Sequence, residues 1–315
     1  MTPLESRVAD AYVDLRPLLF SIAYRMSGSV SEAEDLVQEA FVRYQGALAD
    51  ETVIGSPKAY LSAVVTRLAI DHLKSAKVRR ETYVGEWLPE PLVTDAGAGD
   101  PAVRAELDET LSMSFLALLE RLTPVERAVF LLHDVFDYDF NEVGRIVGKS
   151  PATCRQHAVR ARRFIAENRP RFDADETQRV ELMDRFFGAA ERGDVDALIA
   201  VLAEDAIVYG DGGGKVPQWY VPITGAANVA KLFATMGRQL RRLGSTFERH
   251  LVNGQPGMIF RGPHGGVMSV MSFEVVDGRV ATIRSVVNPD KLRHLGPVES
   301  LREVMEGAWE PERAQ

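Results

Sequence analysis

The chain has 315 residues, 46% of them hydrophobic, and a formal net charge of −8. That length accommodates two or three domains, the apolar share excludes a disordered chain, and the acidic balance excludes a protein that coats nucleic acid indiscriminately. One cysteine, Cys154, excludes an intrachain disulfide framework and fits a reducing cytoplasm. The opening residues, MTPLESRVADAY, lack the basic and apolar regions of a secretory leader, and no uncharged apolar run reaches the about 18 residues of a membrane span.

From residue 10 to about 80 the periodicity predicts helices. Ser31-Glu32-Ala33-Glu34 has the form of a capping box. Behind it Ala33, Leu36, Val37, Ala40, Phe41 and Tyr44 recur on one stripe, which predicts burial, with Glu32, Asp35, Gln38, Glu39 and Arg43 opposite. A further helix opens at Ser56-Pro57. It buries Tyr60, Leu61, Val64, Val65 and Leu68 and runs to a basic end with Lys74, Lys77, Arg79 and Arg80. Residues 85–105, GEWLPEPLVTDAGAGDPAVRA, break the periodicity with proline and glycine, as a linker does. Helical pattern returns over 106–168, with Leu111, Phe115, Leu118, Leu119 and Leu122 on one stripe. Thr123-Pro124-Val125-Glu126 supplies a cap and an N-terminal proline for the next helix.

Residues 139–164, DFNEVGRIVGKSPATCRQHAVRARRF, predict two short helices about a Gly-Lys-Ser turn, with Ser150 as the cap of the second. Between Glu142 and Glu167 there are six basic residues and no acidic one. In an acidic chain this points to a helix-turn-helix whose second helix enters a major groove, through Thr153, Arg155, Gln156, Arg160, Arg162 and Arg163. The alternative is a solvated basic face on a helical hairpin.

After Arg169-Pro170 helices are predicted at about 176–192, 194–203 and 225–243. Apolar runs then alternate through MIFRGPHGGVMSVMSFEVVDGRVATIRSVVN, where Asp277-Gly278 marks a hairpin. Helices followed by an antiparallel meander make this an α+β domain. A short helical tail follows from about 298. The string Asp211-Gly212-Gly213-Gly214-Lys215 is not a phosphate loop, since Tyr209 stands where the first glycine belongs and Val216 follows the lysine. Three glycines let another segment approach the backbone closely. The stiff Trp87-Leu88-Pro89-Glu90-Pro91 suits that role, with Lys215 placed to pair with Glu90. Asp205, Tyr209, Asp211 and His250 are the polar candidates for a cavity in this domain, without a spacing that imposes catalysis. Six histidines lack metal-ligand spacing,.

AEDLVQEAFVRY (33–44) resembles the core-polymerase-binding helix of bacterial sigma factors. TRLAIDHLKSAKVRRE (66–81) resembles the helix that meets the −10 element, and 139–164 the one that reads the −35 element. Their order is similar to that of the extracytoplasmic-function type, with Arg67 standing where many members carry Asn. Residues 176–297 resemble the SnoaL-like branch of the nuclear-transport-factor-2 cone fold. The strings WLPEP, DGGGK and Asn288-Pro289-Asp290-Lys291-Leu292 resemble the signature of sigma factors with a fused SnoaL-like extension that regulates in cis. The resemblance implies sigma region 2 at 1–84, a linker at 85–105, sigma region 4 at 106–170, the cone at 171–297 and a tail at 298–315. It implies core RNA polymerase contact through Asp35, Leu36, Gln38, Glu39 and Phe41, and −10 contact through Arg67, His72, Lys74, Lys77, Arg79 and Arg80. The three strings become the regulatory interface. No catalytic residue, metal or cofactor is implied, and the partners are core RNA polymerase, promoter DNA and an unidentified small ligand for the cone. Two rivals stay open: a helix-turn-helix regulator that senses a ligand and acts without polymerase, and an isomerase or hydrolase fused to a helical domain.

Overall fold

The structure is a computed structural model that describes residues 3–81, 83–94, 109–168, 176–216, 218–219 and 221–307. The chain divides into two compact units, residues 1–82 with 114–169, and residues 83–113 with 170–315. The described part of the linker, up to residue 94, therefore packs as part of the C-terminal unit.

The first unit is helical. α1 (Pro3–Ser27), α2 (Val30–Ala49) and α3 (Pro57–Glu81) pack on one another. The cap of α2 is Ser29, whose hydroxyl accepts from the Glu32 N–H at 3.1 Å, two residues upstream of the Ser31 expected from the sequence. Gly28 is the reason: with φ 68° it turns the chain sharply out of α1, so the next residue is already extended. The buried stripe of α2 is the expected one, extended by Val30. α4 (Met113–Leu119) leads to α5 (Pro124–Phe130), which opens on the expected Thr123 cap, completed by Glu126 into a capping box, and runs on into a π turn at Leu131–Val135. α6 (Phe140–Val147) and α7 (Pro151–Asn168) complete the unit. Tyr138 donates to Ser62 Oγ at 2.8 Å. Arg127 is fully enclosed, donates to Glu120 at 2.6 Å and to the Met26 carbonyl, and burial lowers its pKa to about 9. A buried cation of this kind is tolerated only when paired.

The second unit is α+β. Its elements are β1 (Val93–Thr94), α8 (Glu176–Arg192), α9 (Val195–Val201), β2 (Leu202–Asp211), β3 (Ile223–Thr224), α10 (Ala226–Arg242), β4 (Thr246–Val252), β5 (Gln255–Arg261), β6 (Val267–Val276), β7 (Arg279–Val286) and the tail helix α11 (Leu301–Gly307). The sheet order is β1-β4-β5-β6-β7-β2-β3, antiparallel except for β2 on β7. Two of the hairpin turns, Asn253-Gly254 and the expected Asp277-Gly278, use residues with φ above zero, as type I′ turns require. Residues 267–275 of β6 are all buried, because the sheet is covered on both faces. One face packs on α8 and α10 around Phe186, Phe233 and Phe273, with ring centres 5.1–5.3 Å from Phe186. The other face is closed by Leu88, Met113 and Leu292 over Val252, Ile259, Val267, Val270 and Val286. Leu111, expected in the region 4 stripe, belongs to this unit.

Candidate nucleic-acid interface and linker cradle

Asp139 caps α6, accepting from the N–H groups of Asn141 and Glu142 at 2.7 and 3.0 Å. The Glu142 and Asn141 N–H groups hold its carboxyl below the usual range. Gly148 ends the helix at φ 68°, and Gly144 admits the Lys149 carbonyl, which a Cβ there would meet at 2.7 Å. Ser150 then caps α7, accepting from the Thr153 N–H at 3.1 Å. Small residues Cys154, Ala158 and Ala161, with Ile165, form the buried stripe of α7. Cys154 is a packing residue whose thiol is pushed up by burial.

The basic face of α7 divides into two sets. Arg160 pairs with Glu126 at 2.8 Å and Arg162 with Asp134 at 2.6 Å, which brace α7 against α5 and the π turn. Burial works against the charge on Glu126, but the Thr123 hydroxyl and Arg160 outweigh it and lower its pKa. Arg163 pairs within its own helix with Glu167 at 2.9 Å, and Arg155 lies over the Phe140 ring at 5.4 Å. Thr153 is half-buried, sharing a hydrogen bond with Ser150. Ala152, Arg155, Gln156, Val159 and Arg163 make one exposed stripe at helical spacing,. Val159, 62% exposed, is an apolar member of it that the charge pattern did not reveal.

On α2, Asp35, Gln38 and Glu39 are exposed, whereas Leu36 and Phe41 are buried in the unit's own core. That corrects their expected place in a partner-facing surface: the apolar stripe and the exposed polar face are different faces of this helix. On α3, Arg67 donates to the carbonyls of Ile146 and Arg145 at 2.8 and 2.7 Å, at the C-terminal end of α6, where carbonyl dipoles favour a cation. His72 lies 3.2 Å from Glu32, and Lys74 pairs with Asp71 at 2.8 Å. The side chains of Lys77, Arg79 and Arg80 lie outside the described residues.

The three strings of the second unit meet around Asp211, which is wholly buried. Its carboxylate accepts from the Leu88 N–H at 2.8 Å, from Lys291 Nζ at 2.7 Å and from the Tyr83 hydroxyl, while its carbonyl accepts from the N–H groups of Val287 and Asn288. Lys291 also donates to the Leu88 carbonyl and lies 4.2 Å from the centre of the Trp87 ring. Asn288 Nδ2 donates to the Tyr83 hydroxyl at 2.8 Å. Pro89, Glu90 and Pro91 are buried, and His294 reaches the Pro91 carbonyl at 2.8 Å. Two expectations are corrected in detail. The glycine strip receives Tyr83 and Val84 rather than Trp87: a Cβ at Gly213 would meet Asn288 Nδ2 at 2.3 Å and the Tyr83 hydroxyl at 3.0 Å, and one at Gly214 would meet Val84. Lys215 pairs with Asp290, not Glu90, because Glu90 turns into the interior while Asp290 stays on the rim.

Asn253, at the β4–β5 turn, was missed by sequence reasoning. Its backbone and side chain grip Leu92, with the Asn253 N–H on the Leu92 carbonyl at 2.8 Å and the Leu92 N–H on Oδ1 at 3.0 Å, and its Nδ2 donates to the Leu111 carbonyl at 3.0 Å. One side chain thus holds residues 92 and 111 of the 83–113 segment. The signal was the Asn-Gly pair, a hairpin mark that also places an amide at the turn.

The four polar cavity candidates do not converge. Asp205 is exposed, Tyr209 lies under the Arg284 guanidinium at 5.2 Å, Asp211 is in the cradle, and His250 lies beside Glu248 at 3.4 Å. None of them lines the cavities of ≈ 360 and ≈ 780 Å³ beside α10. Among the described residues no cluster of His, Cys, Asp and Glu suits a metal, and no helix is long and apolar enough to cross a membrane.

Three family models match the chain: sigma-70 region 2 at residues 11–79, sigma-70 region 4 at 112–165, and a SnoaL-like domain at 183–283. The chain is 37% identical over 285 residues to the ECF RNA polymerase sigma factor SigJ of Mycobacterium tuberculosis, across 88% of this chain and 90% of that one. It is 28% identical over 317 residues to the ECF RNA polymerase sigma factor SigG of Mycobacterium tuberculosis, across 90% and 82%. The crystal structure of Mycobacterium tuberculosis SigJ superposes with a TM-score of 0.73 at 34% identity, covering 92% of this chain and 100% of that one.

Proposed function

Because the chain belongs to the extracytoplasmic-function RNA polymerase sigma factors that carry a fused SnoaL-like domain, we propose that it directs promoter-specific initiation and is regulated through its inter-region linker. The exposed face of α2, at Asp35, Gln38 and Glu39, binds core RNA polymerase by polar complementarity. The stripe Arg155, Gln156, Val159 and Arg163 of α7 reads the −35 element, while Arg160 and Arg162 fix the helix. Arg67, His72, Lys74 and the basic end of α3 meet DNA at the −10 element. The protein acts in the cytoplasm and turns over no substrate.

The observation that carries the regulatory reading is the cradle. The segment between the two sigma regions is held on the SnoaL-like domain by β1, Asp211, Lys291 and Asn253. The tether that sets how far the DNA-reading regions can separate is thereby under the control of the C-terminal domain. Run-off transcription with purified core polymerase tests both parts. The full chain directs initiation only with core enzyme present, and Asp35→Arg abolishes it. Promoter binding of equal strength with and without core polymerase would reject the sigma assignment in favour of a stand-alone regulator.

A further inference from the structure

α7 carries one exposed side chain that charge does not explain. Val159 is 62% exposed. It stands on the outer stripe with Ala152, Arg155, Gln156 and Arg163, apart from the packing line of Cys154, Ala158, Ala161 and Ile165. Arg160 turns back to Glu126 at 2.8 Å and Arg162 to Asp134 at 2.6 Å. Of residues 159–162, Val159 is therefore the exposed one that no ion pair draws towards another element. Valine is a poorer helix former than alanine or the long polar residues, and burial offers no compensation at this position. In a helix it keeps essentially one χ1 rotamer, so its two methyl groups stand in fixed places and lose little entropy on contact.

The charge around Val159 says what meets it. Arg155 and Arg163 flank it on the stripe, and no carboxylate occurs in the sequence between Glu142 and Glu167, which suits a polyanion. Arginines reach the phosphates on the walls of a groove, while the short side chains of Ala152 and Val159 let the helix settle towards the base edges. On the floor of a major groove an apolar side chain meets the 5-methyl group of thymine, and glutamine pairs with N6 and N7 of adenine. Gln156 and Val159 are three residues apart, about 4.5 Å along the helix axis. That is close to one base-pair step of about 3.4 Å.

From this placement we infer that Val159 is a specificity-determining residue: it packs on the 5-methyl group of a thymine, in the base pair adjoining the one that Gln156 reads. The inference rests on the reading of α7 as the −35 helix and adds the chemistry of one position. Core polymerase loaded with the full chain is first given a promoter library randomised across the −35 element. A thymine is expected beside the position whose preference Gln156→Ala relaxes. Synthetic promoters then carry deoxyuridine there, which differs from thymidine only in lacking the methyl. Deoxyuridine weakens promoter binding by wild type about fourfold, the worth of one buried methyl group. Cytosine at the same place weakens it as well, and 5-methylcytosine recovers part of that loss. Val159→Ala melts like wild type, as an exposed position allows, and weakens binding to the thymine promoter by about the same factor. It no longer distinguishes thymine from deoxyuridine, the non-additivity of two groups in contact. No thymine beside the Gln156 position, wild-type binding indifferent to the methyl, or a methyl effect undiminished in Val159→Ala overturns the inference. Each of these is read where initiation depends on core polymerase; initiation without it rejects the sigma reading, and this inference with it.

Discussion

Lys291 and Lys215 both pair with an aspartate of the second unit, in unlike surroundings. Lys291 and Asp211 are 9% and 0% exposed, whereas Lys215 and Asp290 are 51% and 40% exposed. Removing one partner of a buried pair strands the other charge and costs about 3–5 kcal/mol; an exposed pair is worth about 0–1 kcal/mol. Lys291→Met is therefore expected to lower the unfolding free energy by about 3–5 kcal/mol, and Lys215→Ala by less than about 1 kcal/mol, in urea melts. Equal effects would mean that Asp211 is not held as a carboxylate by Lys291. Tyr83 gives the cradle a pH dependence. Burial and then the Asp211 carboxylate raise its phenol well above the ordinary value of 10.0, so folding favours the neutral form. Its contribution is complete below that ordinary value. At higher pH the unfolded chain ionises first and stability falls. The stability difference between wild type and Tyr83→Phe should be flat up to pH 9 and shrink above pH 10, as measured by urea unfolding. A difference that grows with pH would invert the assignment.

At the scale of elements, α7 keeps the bracing arginines Arg160 and Arg162 apart from the exposed stripe proposed to read DNA. Arg155→Ala and Gln156→Ala should each relax base preference at one promoter position, by about 1–3 kcal/mol where the contact is bidentate, without loss of thermal stability. Arg163→Ala should weaken all sequences alike and reduce the salt slope by about one. Arg160→Ala should loosen the helix by freeing Glu126, so its effect appears in melting as well as in binding. Uniform loss across promoter variants from Arg155→Ala would make Arg155 a phosphate contact. Much of this was legible in the sequence: the α2 stripe, the Thr123 capping box, the Gly-Lys-Ser turn, helices α8 and α10, and the Asp277-Gly278 hairpin all follow from local pattern. The strands β1, β2, β3 and β4 were not recovered. β1 is two residues long and takes its conformation from β4. β2 pairs in parallel with a strand far along the chain, which no local periodicity announces. The distinction between Arg160 and Arg155 was hidden for a related reason: residue type shows that a helix has an exposed basic face, while tertiary packing decides which of its arginines are tied to neighbouring elements.

At the scale of the whole molecule, the proposed regulation runs through the linker. Residues 83–113 connect the two sigma regions, and undocked they would reach up to roughly 100 Å. Docked, residues 92 and 111 are clasped by one side chain, Asn253, and residues 87–91 by the Asp211 and Lys291 cluster. A switch needs two states that differ in such contacts by a few kcal/mol. The clasp and the cluster act on the same tether, so their removal should be redundant in its effect on transcription. Asn253→Asp keeps a residue that tolerates the left-handed backbone (φ 53°) and the acceptor for Leu92, but loses the donor to Leu111. Lys291→Met loses the cation that holds Leu88, and Trp87→Ala removes the ring beneath it. In run-off transcription the three variants should shift activity in the same direction. The Asn253→Asp, Lys291→Met double variant should shift it no further than the stronger single one, a failure of additivity that marks a shared step. Opposite signs, or effects that simply add, would show that the two contacts act on separate steps. Wild-type activity from all three folded variants would show that docking of the linker does not govern initiation.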